Sequence, residues 1–476
     1  MSSDTKAKHI PGGIGELLII ALPMMASSAC ETVMTFTDRL FLSRLGSAQM
    51  NAAMGGGLMC FMMMTFFMGL IGYCAALVAQ YFGSGQKKNC AVVVTQALIL
   101  AVAAYPVILL LSPLVRYWFR VSGIAPEQLG PQMLYFNILI YASIVGLLRN
   151  ALGGFFSGIG KTRVVMVSSL TAMAVNVAAT YVLIFGNCGF PAMGIRGAAY
   201  GTIVGGVSGL LIMVAAYFGG REHNDYGVRD SFRFDPDIMK RLFKFGYPAG
   251  MEFFLNYTAF SAMVMLFYTC GQDVATAATV TLNWDMVAFV PLIGIEIAVT
   301  SLVGRYMGAR QPDMAHHAAM SGIKIGSIYS TAMLIMFTMF PASLVNVFRP
   351  DTDSMVFAKA MPLTLFMVRT VAVYVLVEAV VIAFTGALRG AGDTLWAMRT
   401  SVVLHWVLVG ILYVMLKTMR LPAGAAWVAM IVWYMVFSLL FFMRYRAGKW
   451  RDIRVIDDVD GSLAATCEGF HRSSDL

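Results

Sequence analysis

Long apolar runs separated by short polar breaks recur from one end of the chain to the other. About twelve of these runs reach the ~20 residues needed to cross a hydrocarbon core. In the first half they fall near 15–41, 55–81, 91–113, 131–157, 163–185 and 197–219. In the second half they fall near 243–268, 277–304, 320–346, 360–387, 397–416 and 424–444. The most polar internal stretch, Gly220 to Lys244, separates the halves and carries Arg221, Glu222, Asp225, Arg229, Asp230, Arg233, Asp235, Asp237, Lys240 and Arg241. The pattern predicts an all-α polytopic membrane protein with about twelve transmembrane helices in two pseudo-symmetric six-helix lobes around a central cavity. Its expected parts are an N-terminal segment 1–14, a first lobe 15–219, a linker 220–242, a second lobe 243–446 and a polar tail 447–476.

The halves repeat each other. Gly154-Phe-Phe-Ser-Gly-Ile-Gly160-Lys161-Thr162 returns 232 residues later as Gly386-Ala-Leu-Arg-Gly-Ala-Gly392-Asp393-Thr394. Leu77-Val-Ala-Gln-Tyr-Phe-Gly83-Ser-Gly-Gln86 returns 225 residues later as Leu302-Val-Gly-Arg-Tyr-Met-Gly308-Ala-Arg-Gln311, and Pro23/Pro248 and Gly46/Gly271 share that shift. Seven residues are therefore gained between the second and fourth spans of the second half, most simply around Phe348 to Lys359. Six spans separate equivalent elements, so both copies run in the same direction, which is the arrangement of parallel transporter repeats.

Composition agrees with a membrane-embedded chain. With 59% hydrophobic residues, 12% charged residues and a mean hydropathy of +0.74, a water-soluble fold would expose too much apolar surface. The net charge of +9 comes from basic residues between apolar runs, where they act as topology signals. Lys6, Lys8, Lys87, Lys88, Lys161, Arg163, the linker basics, Arg305, Arg310, Arg389 and Arg444 to Arg454 fall on one side if spans alternate. Arg116, Arg120, Arg196, Arg349, Lys359, Lys417 and Arg420 oppose this bias without reversing it. The expectation is a multi-pass protein of the cell (inner) membrane with both termini cytoplasmic, no removed signal peptide, and no nucleic-acid partner.

A charge inside a span needs a partner, water or a task. Asp38 in span one has Met263 as its repeat equivalent, so the scaffold does not require a carboxylate there. Arg39 could simply neutralise it, and Glu31, two turns earlier on the same face, could share its cavity wall or bind a neighbouring helix. Asn176 and Thr180 share a face in span five, with Tyr181 beside them, and such groups either hold a small hard cation or tie helices together. In the second half, Glu378 stands opposite Gly146 in the repeat, with Tyr374 one turn earlier. Glu252 and Asn256 lie one turn apart in span seven, and Asp285 and Glu296 share a face of span eight by spacing. These acidic pairs suggest a water-accessible cavity suited to cations. Arg149 and Arg369 are read as charge partners for such carboxylates, and His405 as a hydrogen-bonded group within the bundle.

Several familiar chemistries are not supported. Ser157-Gly-Ile-Gly-Lys161-Thr162 ends like a phosphate-binding loop, but Phe155 stands where that motif requires glycine. No zinc-ligand spacing and no nucleophile elbow occurs, so neither an enzyme nor a cofactor is expected. The seven cysteines are read as packing residues, and the abundant Met and Phe as lipid-facing or core filler with a minority lining an adaptable cavity.

Ala21-Leu-Pro23 with Asp38 and Leu45-Gly46, Val78-Ala-Gln-Tyr-Phe-Gly83, Ser157-Gly-Ile-Gly-Lys-Thr162, Asn176 with Tyr181-Val-Leu-Ile-Phe-Gly186, Gly194-Ile-Arg-Gly-Ala-Ala199 and Gly386 to Thr394 follow one another in a characteristic order. In that order the chain resembles the multidrug and toxic compound extrusion (MATE) transporters from about Gly15 to the end of span twelve. The resemblance implies two six-helix lobes around a V-shaped cavity and export of cationic, amphipathic small molecules driven by Na+ or H+, in a protein functional as a monomer. It also implies a cation or proton site at Asp38, Asn176 and Thr180 and a second site at Glu378 with Tyr374. Members with an acid in span seven usually carry it eight residues after the proline; here that position is Asn256, with Glu252 a turn earlier. A related scaffold exports lipid-linked sugars, and that alternative, like a channel, stays open at this level.

Overall fold

The computed structural model describes residues 11–122, 124, 126–219, 222–349 and 355–456. Lys6, Lys8, Arg221 and the tail beyond residue 456 lie outside the described residues. Twelve apolar helical spans appear, all among the described residues. In the first lobe they are α1 (Ile14–Ser43), α2 (Gln49–Gly83), α3 (Lys87–Val121), α4 (Pro126–Tyr141 and Ser143–Gly158, bent by 44°), α5 (Thr162–Phe185) and α6 (Ile195–Gly219). The second lobe contains α7 (Pro236–Tyr268), α8 (Gln272–Gly308), α9 (Pro312–Met339), α10 (Met355–Ala391), α11 (Thr394–Thr418) and α12 (Ala423–Arg446).

Sequence chemistry sets the helix ends. Asp235 caps α7, its Oδ1 accepting from the amides of Asp237 at 3.1 Å and Ile238 at 3.0 Å, with Pro236 preset for the first turn. The repeated glycines serve turns that side chains rarely enter: Gly160 and Gly392 close the twin signatures at φ +79° and +94°. Span nine is shorter than its apolar run suggests, because the helix stops before Pro341 and resumes as the short helix Pro341–Asn346. A proline cannot donate to the helix ladder, and the chain restarts with it at the first turn.

Each lobe has its own apolar core, one around Tyr73, Phe136, Phe155 and Tyr217, the other around Phe267, Phe337, Trp427 and Phe441. Helix α1 bridges them: Leu17, Ile20 and Ala21 belong to the second core, Met24 to the first. A smaller cluster of Leu42, Ala52, Ala53, Tyr135, Ile184, Ile195, Ala198 and Ala199 dries the far end of the first lobe. After α12 the chain crosses back, so Trp450 packs in the second core while Val455 and Ile456 pack in the first.

Both ends of the described chain meet at one face. Ser321 donates to the Gly12 carbonyl at 2.9 Å, and Arg310 to the Ile456 carbonyl at 3.4 Å. Inter-lobe hydrogen bonds gather at this terminal face. Gln80 of α2 donates to the Gly390 carbonyl at 2.8 Å, and its repeat mate Arg305 of α8 donates to the Ile159 carbonyl at 3.3 Å. Each lobe thus binds the other lobe's copy of the glycine signature. Ser301 adds a bond to the Ser157 carbonyl at 2.7 Å, and Glu16 takes Arg305 Nη1 at 3.3 Å and the Tyr306 hydroxyl at 2.6 Å. Arg305 therefore does more than mark topology: it sits inside a helix and ties α1, α4 and α8 together.

Candidate functional site

In the first lobe α6 presses closely on α5 because Gly197, Gly201, Gly205 and Gly209 recur every fourth residue along one face. A Cβ on Gly201 would collide with Thr180 Oγ1, and one on Gly205 would lie 2.7 Å from Asn176 Cβ. This close approach brings Thr202 of α6 to Asp38 of α1, its hydroxyl donating to Oδ2 at 2.8 Å. Asn176 and Thr180 flank the same carboxylate and bond to each other at 3.3 Å. Asp38 is 6% exposed, Asn176 and Thr180 fully buried, and Asp38 Oδ1 and Asn176 Oδ1 have no hydrogen-bond partner among the described residues. Arg39 forms no ion pair with Asp38 among the described residues. Two orphaned oxygens beside two hydroxyl oxygens form a donor set suited to a small hard cation, and Asp38 Oδ1 is equally able to take a proton.

Glu31 is not part of that cluster. Its side chain is 63% exposed and lies 3.7 Å from Arg149 Nη2, which also reaches Ser169 Oγ at 3.4 Å. Ser169 in turn bonds Ser27 at 2.6 Å. Asp38 and Glu31 share a helix face by count, yet they serve different neighbours.

The second lobe separates its acids into two groups. In the first, Tyr374 donates to Glu378 Oε1 at 2.6 Å, and Asp285 of α8 approaches closely enough for its charge to act on Glu378. Tyr434 packs on Tyr374 at 4.7 Å and bonds His405 Nε2 at 3.2 Å, while His405 Nδ1 bonds the Ser401 carbonyl at 2.9 Å. Glu378 Oε2 and Asp285 Oδ1 are buried without hydrogen-bond partners among the described residues. Two charged carboxylates sharing a dry site repel, so the pair calls for a proton or a cation.

The other group centres on Arg389, whose Nη1 meets Glu296 Oε1 at 2.7 Å and whose Nη2 lies 3.7 Å from Glu252 Oε2. Asn256, a turn from Glu252, donates to Ser401 at 2.6 Å. The expected grouping of Asp285 with Glu296 is therefore corrected: one faces Glu378, the other Arg389. Eleven residues of helix place them ~16 Å apart along α8, in different layers. A second correction concerns Arg369, read as a charge partner: its side chain is exposed and it makes no ion pair among the described residues. The counter-ion in this lobe is Arg389, read from the sequence as a topology signal. We expect Arg389→Met to lower stability by about 3 kcal/mol, because Glu252 and Glu296 lose the cation they share. The value is at the low end because Arg389 is 30% exposed. Thermal unfolding in detergent checks this, and Glu252→Gln with Glu296→Gln in the same chain should restore most of the loss.

Sequence reasoning missed Thr202 and Arg389, although signals for both were present. The four-residue glycine ladder marks the face of α6 that meets α5, next to which Thr202 lies. Arg389 stands where the first signature has Ser157, a break in the repeat of the kind that singled out Asp38 and Glu378.

The family model MatE matches this chain twice, over residues 23–182 and 248–416, and each match begins at one of the paired prolines, Pro23 and Pro248. The chain belongs to the MatE family. Bacterial relatives align with it across nearly the whole length. A probable multidrug resistance protein NorM of Thermotoga maritima is 23% identical over 94% of this chain and 96% of its own. The corresponding protein of Shewanella oneidensis is 26% identical over 92% and 96%. Among solved structures, a MOP superfamily transporter from Pyrococcus furiosus superposes with a TM-score of 0.84 at 21% identity, covering 95% of this chain and all of that one. An outward-facing multidrug resistance MATE transporter gives 0.83 at 20% identity, with the same coverage. The two-lobe fold of twelve spans is thus that of MATE transporters, and the protein is a multi-pass membrane transporter.

Proposed function

We propose that this MATE transporter is a secondary antiporter that exports cationic, amphipathic compounds in exchange for Na+ or H+ by alternating access of its lobes. It works as a monomer in the inner membrane, with the terminal face cytoplasmic and no cofactor. The observation that carries the reading is the buried Asp38, with an orphaned Oδ1 beside the orphaned Oδ1 of Asn176 and the hydroxyls of Thr180 and Thr202. Such a site gains stability by accepting a cation or proton, and that gain can bias one arrangement of the lobe over another. Glu378 with Asp285 supplies a second acidic centre in the other lobe. The lipid-linked sugar reading is disfavoured, since phosphates call for a cavity rich in Arg and Lys, and of Arg149, Arg369 and Arg389 two are engaged with carboxylates.

The test is ethidium efflux from proteoliposomes under imposed gradients, with sodium added or withheld at fixed pH. Efflux should follow the coupling ion's gradient and stop without one. Glu378→Gln should lower the gradient-driven rate ~tenfold, within the usual range of coupling energies. Efflux indifferent to both gradients would exclude antiport.

A further inference from the structure

A groove unrelated to the acidic sites runs up the outer side of the second lobe. Helices α9 and α12 both pack on α10 but diverge from each other, leaving a cavity of about 680 Å³ between them. Its wall is apolar, built from Met320 and Ile323 of α9, Val380 and Phe384 of α10 and Phe442 of α12. Val380 follows Glu378 by two residues, so at 100° per residue it lies on the opposite side of α10 from the acidic site.

The groove ends at the terminal face on a polar and aromatic rim. His316 Nδ1 bonds the Tyr445 hydroxyl at 3.0 Å, and Tyr445 stacks between His316 and Trp450 with centroids 5.8 Å and 5.1 Å away. The short helix Lys449–Asp452 closes the bottom, where Arg451 covers Trp450 at 5.3 Å and reaches Asp313 at 3.0 Å. Arg446 also lines the rim, and it has no counter-ion within 4.0 Å among the described residues. An apolar slot along a membrane helix that ends in an unpaired guanidinium at the interface is complementary to an amphiphile with acyl chains and an anionic head.

We propose that this groove binds an anionic phospholipid, its acyl chain against Val380, Phe384 and Phe442 and its phosphate at Arg446 beside Arg451 and His316. Basic pockets between membrane helices at the interface recognise such head groups, and aromatic residues seat there. A drug cation does not fit the rim, because Arg446 would repel it. The site therefore takes a structural lipid, not transported cargo.

Native mass spectrometry of the delipidated full chain, titrated with phosphatidylglycerol or phosphatidylcholine, tests the assignment, and Tm shifts are read in parallel. Phosphatidylglycerol should be retained in preference to phosphatidylcholine and should raise the Tm. Arg446→Glu should weaken its binding by about tenfold, the scale of reversing one charge at a lipid interface. Val380→Trp, which fills the slot, should remove retention of both lipids. If Val380→Trp does not fold, Arg446→Glu still decides, since that side chain is exposed. Excess inorganic phosphate should leave the lipid bound; its displacement would reduce the site to one for a free anion and overturn the proposal. Equal retention of the two lipids, or unchanged retention in Arg446→Glu, would overturn it as well.

Discussion

Asp38→Asn is expected to abolish gradient-driven efflux while leaving the protein folded and able to bind its substrate. The replacement keeps the side-chain shape, and its amide oxygen can still accept from Thr202, which holds Asp38 Oδ2 at 2.8 Å. Only the charge and the proton-binding capacity disappear. The orphaned Oδ1 becomes part of a neutral amide, which holds neither a proton nor, without its charge, a sodium ion comparably. A ligand can shift a conformational equilibrium only by its differential affinity for the two states, so a site that no longer distinguishes them cannot drive the lobe. The loss should reach or exceed ~100-fold, near the upper range of measured coupling energies. Thr202→Val should lose less, because Asn176 and Thr180 remain around the carboxylate. Glu31→Gln should change efflux by less than about twofold, since its pair with Arg149 is exposed and long. Ethidium efflux under imposed gradients separates these outcomes, with equilibrium binding of the same dye showing that the cavity survives. Undiminished coupled efflux in Asp38→Asn would remove Asp38 from the mechanism.

Much of this architecture is legible in the sequence because hydrophobic length and repeat spacing are strong signals. The apolar runs locate the spans, and paired prolines and glycines reveal the two lobes. Helix periodicity also puts Asn176 and Thr180 on one face and Tyr374 a turn from Glu378. What it leaves out is the partner at each depth. Asp285 and Glu296 lie on one helix face and both look toward α10, but eleven residues apart they meet different side chains of it, Glu378 and Arg389. Arg389 is hidden because a basic residue near a helix end reads as a topology signal, while its role depends on Glu252 of α7 and Glu296 of α8 converging on it. Thr202 is harder to find because hydrophobic periodicity is silent on the nearly all-apolar α6; only its four-residue glycine ladder marks the face beside which Thr202 lies. The 44° bend in α4 occurs at Ala142, with neither proline nor glycine at the break.

The second large effect concerns the terminal face, where Gly83→Ala or Gly308→Ala should pull the lobes apart. Gly83 at the end of α2 sits on the carbonyl of Arg305 in α8, and Gly308 at the end of α8 sits on the carbonyl of Gln80 in α2. The two contacts are mirror versions of each other under the repeat. A methyl at either position would overlap backbone atoms that cannot rotate away, unlike the tip of a flexible side chain. Relief requires the helix ends to separate, which stretches the Gln80 to Gly390 and Arg305 to Ile159 bonds that close this face. Overpacking costs about 1–3 kcal/mol, and if it falls on the closed arrangement alone it shifts the open population by ~5- to 150-fold. Ser301, fully buried in the seam against the Ser157 carbonyl, provides the probe. A cysteine introduced there should react slowly with an impermeant maleimide applied at the terminal face, and at least about fivefold faster when Gly83→Ala is added. Gly410→Ala, at a helical glycine whose added methyl meets open space, should leave the rate unchanged. An unchanged rate in Gly83→Ala would mean that the seam is not what holds the lobes closed. A rise in both glycine variants, with coupling ion slowing it again, would tie the acidic sites to the seam through the single equilibrium that alternating access requires.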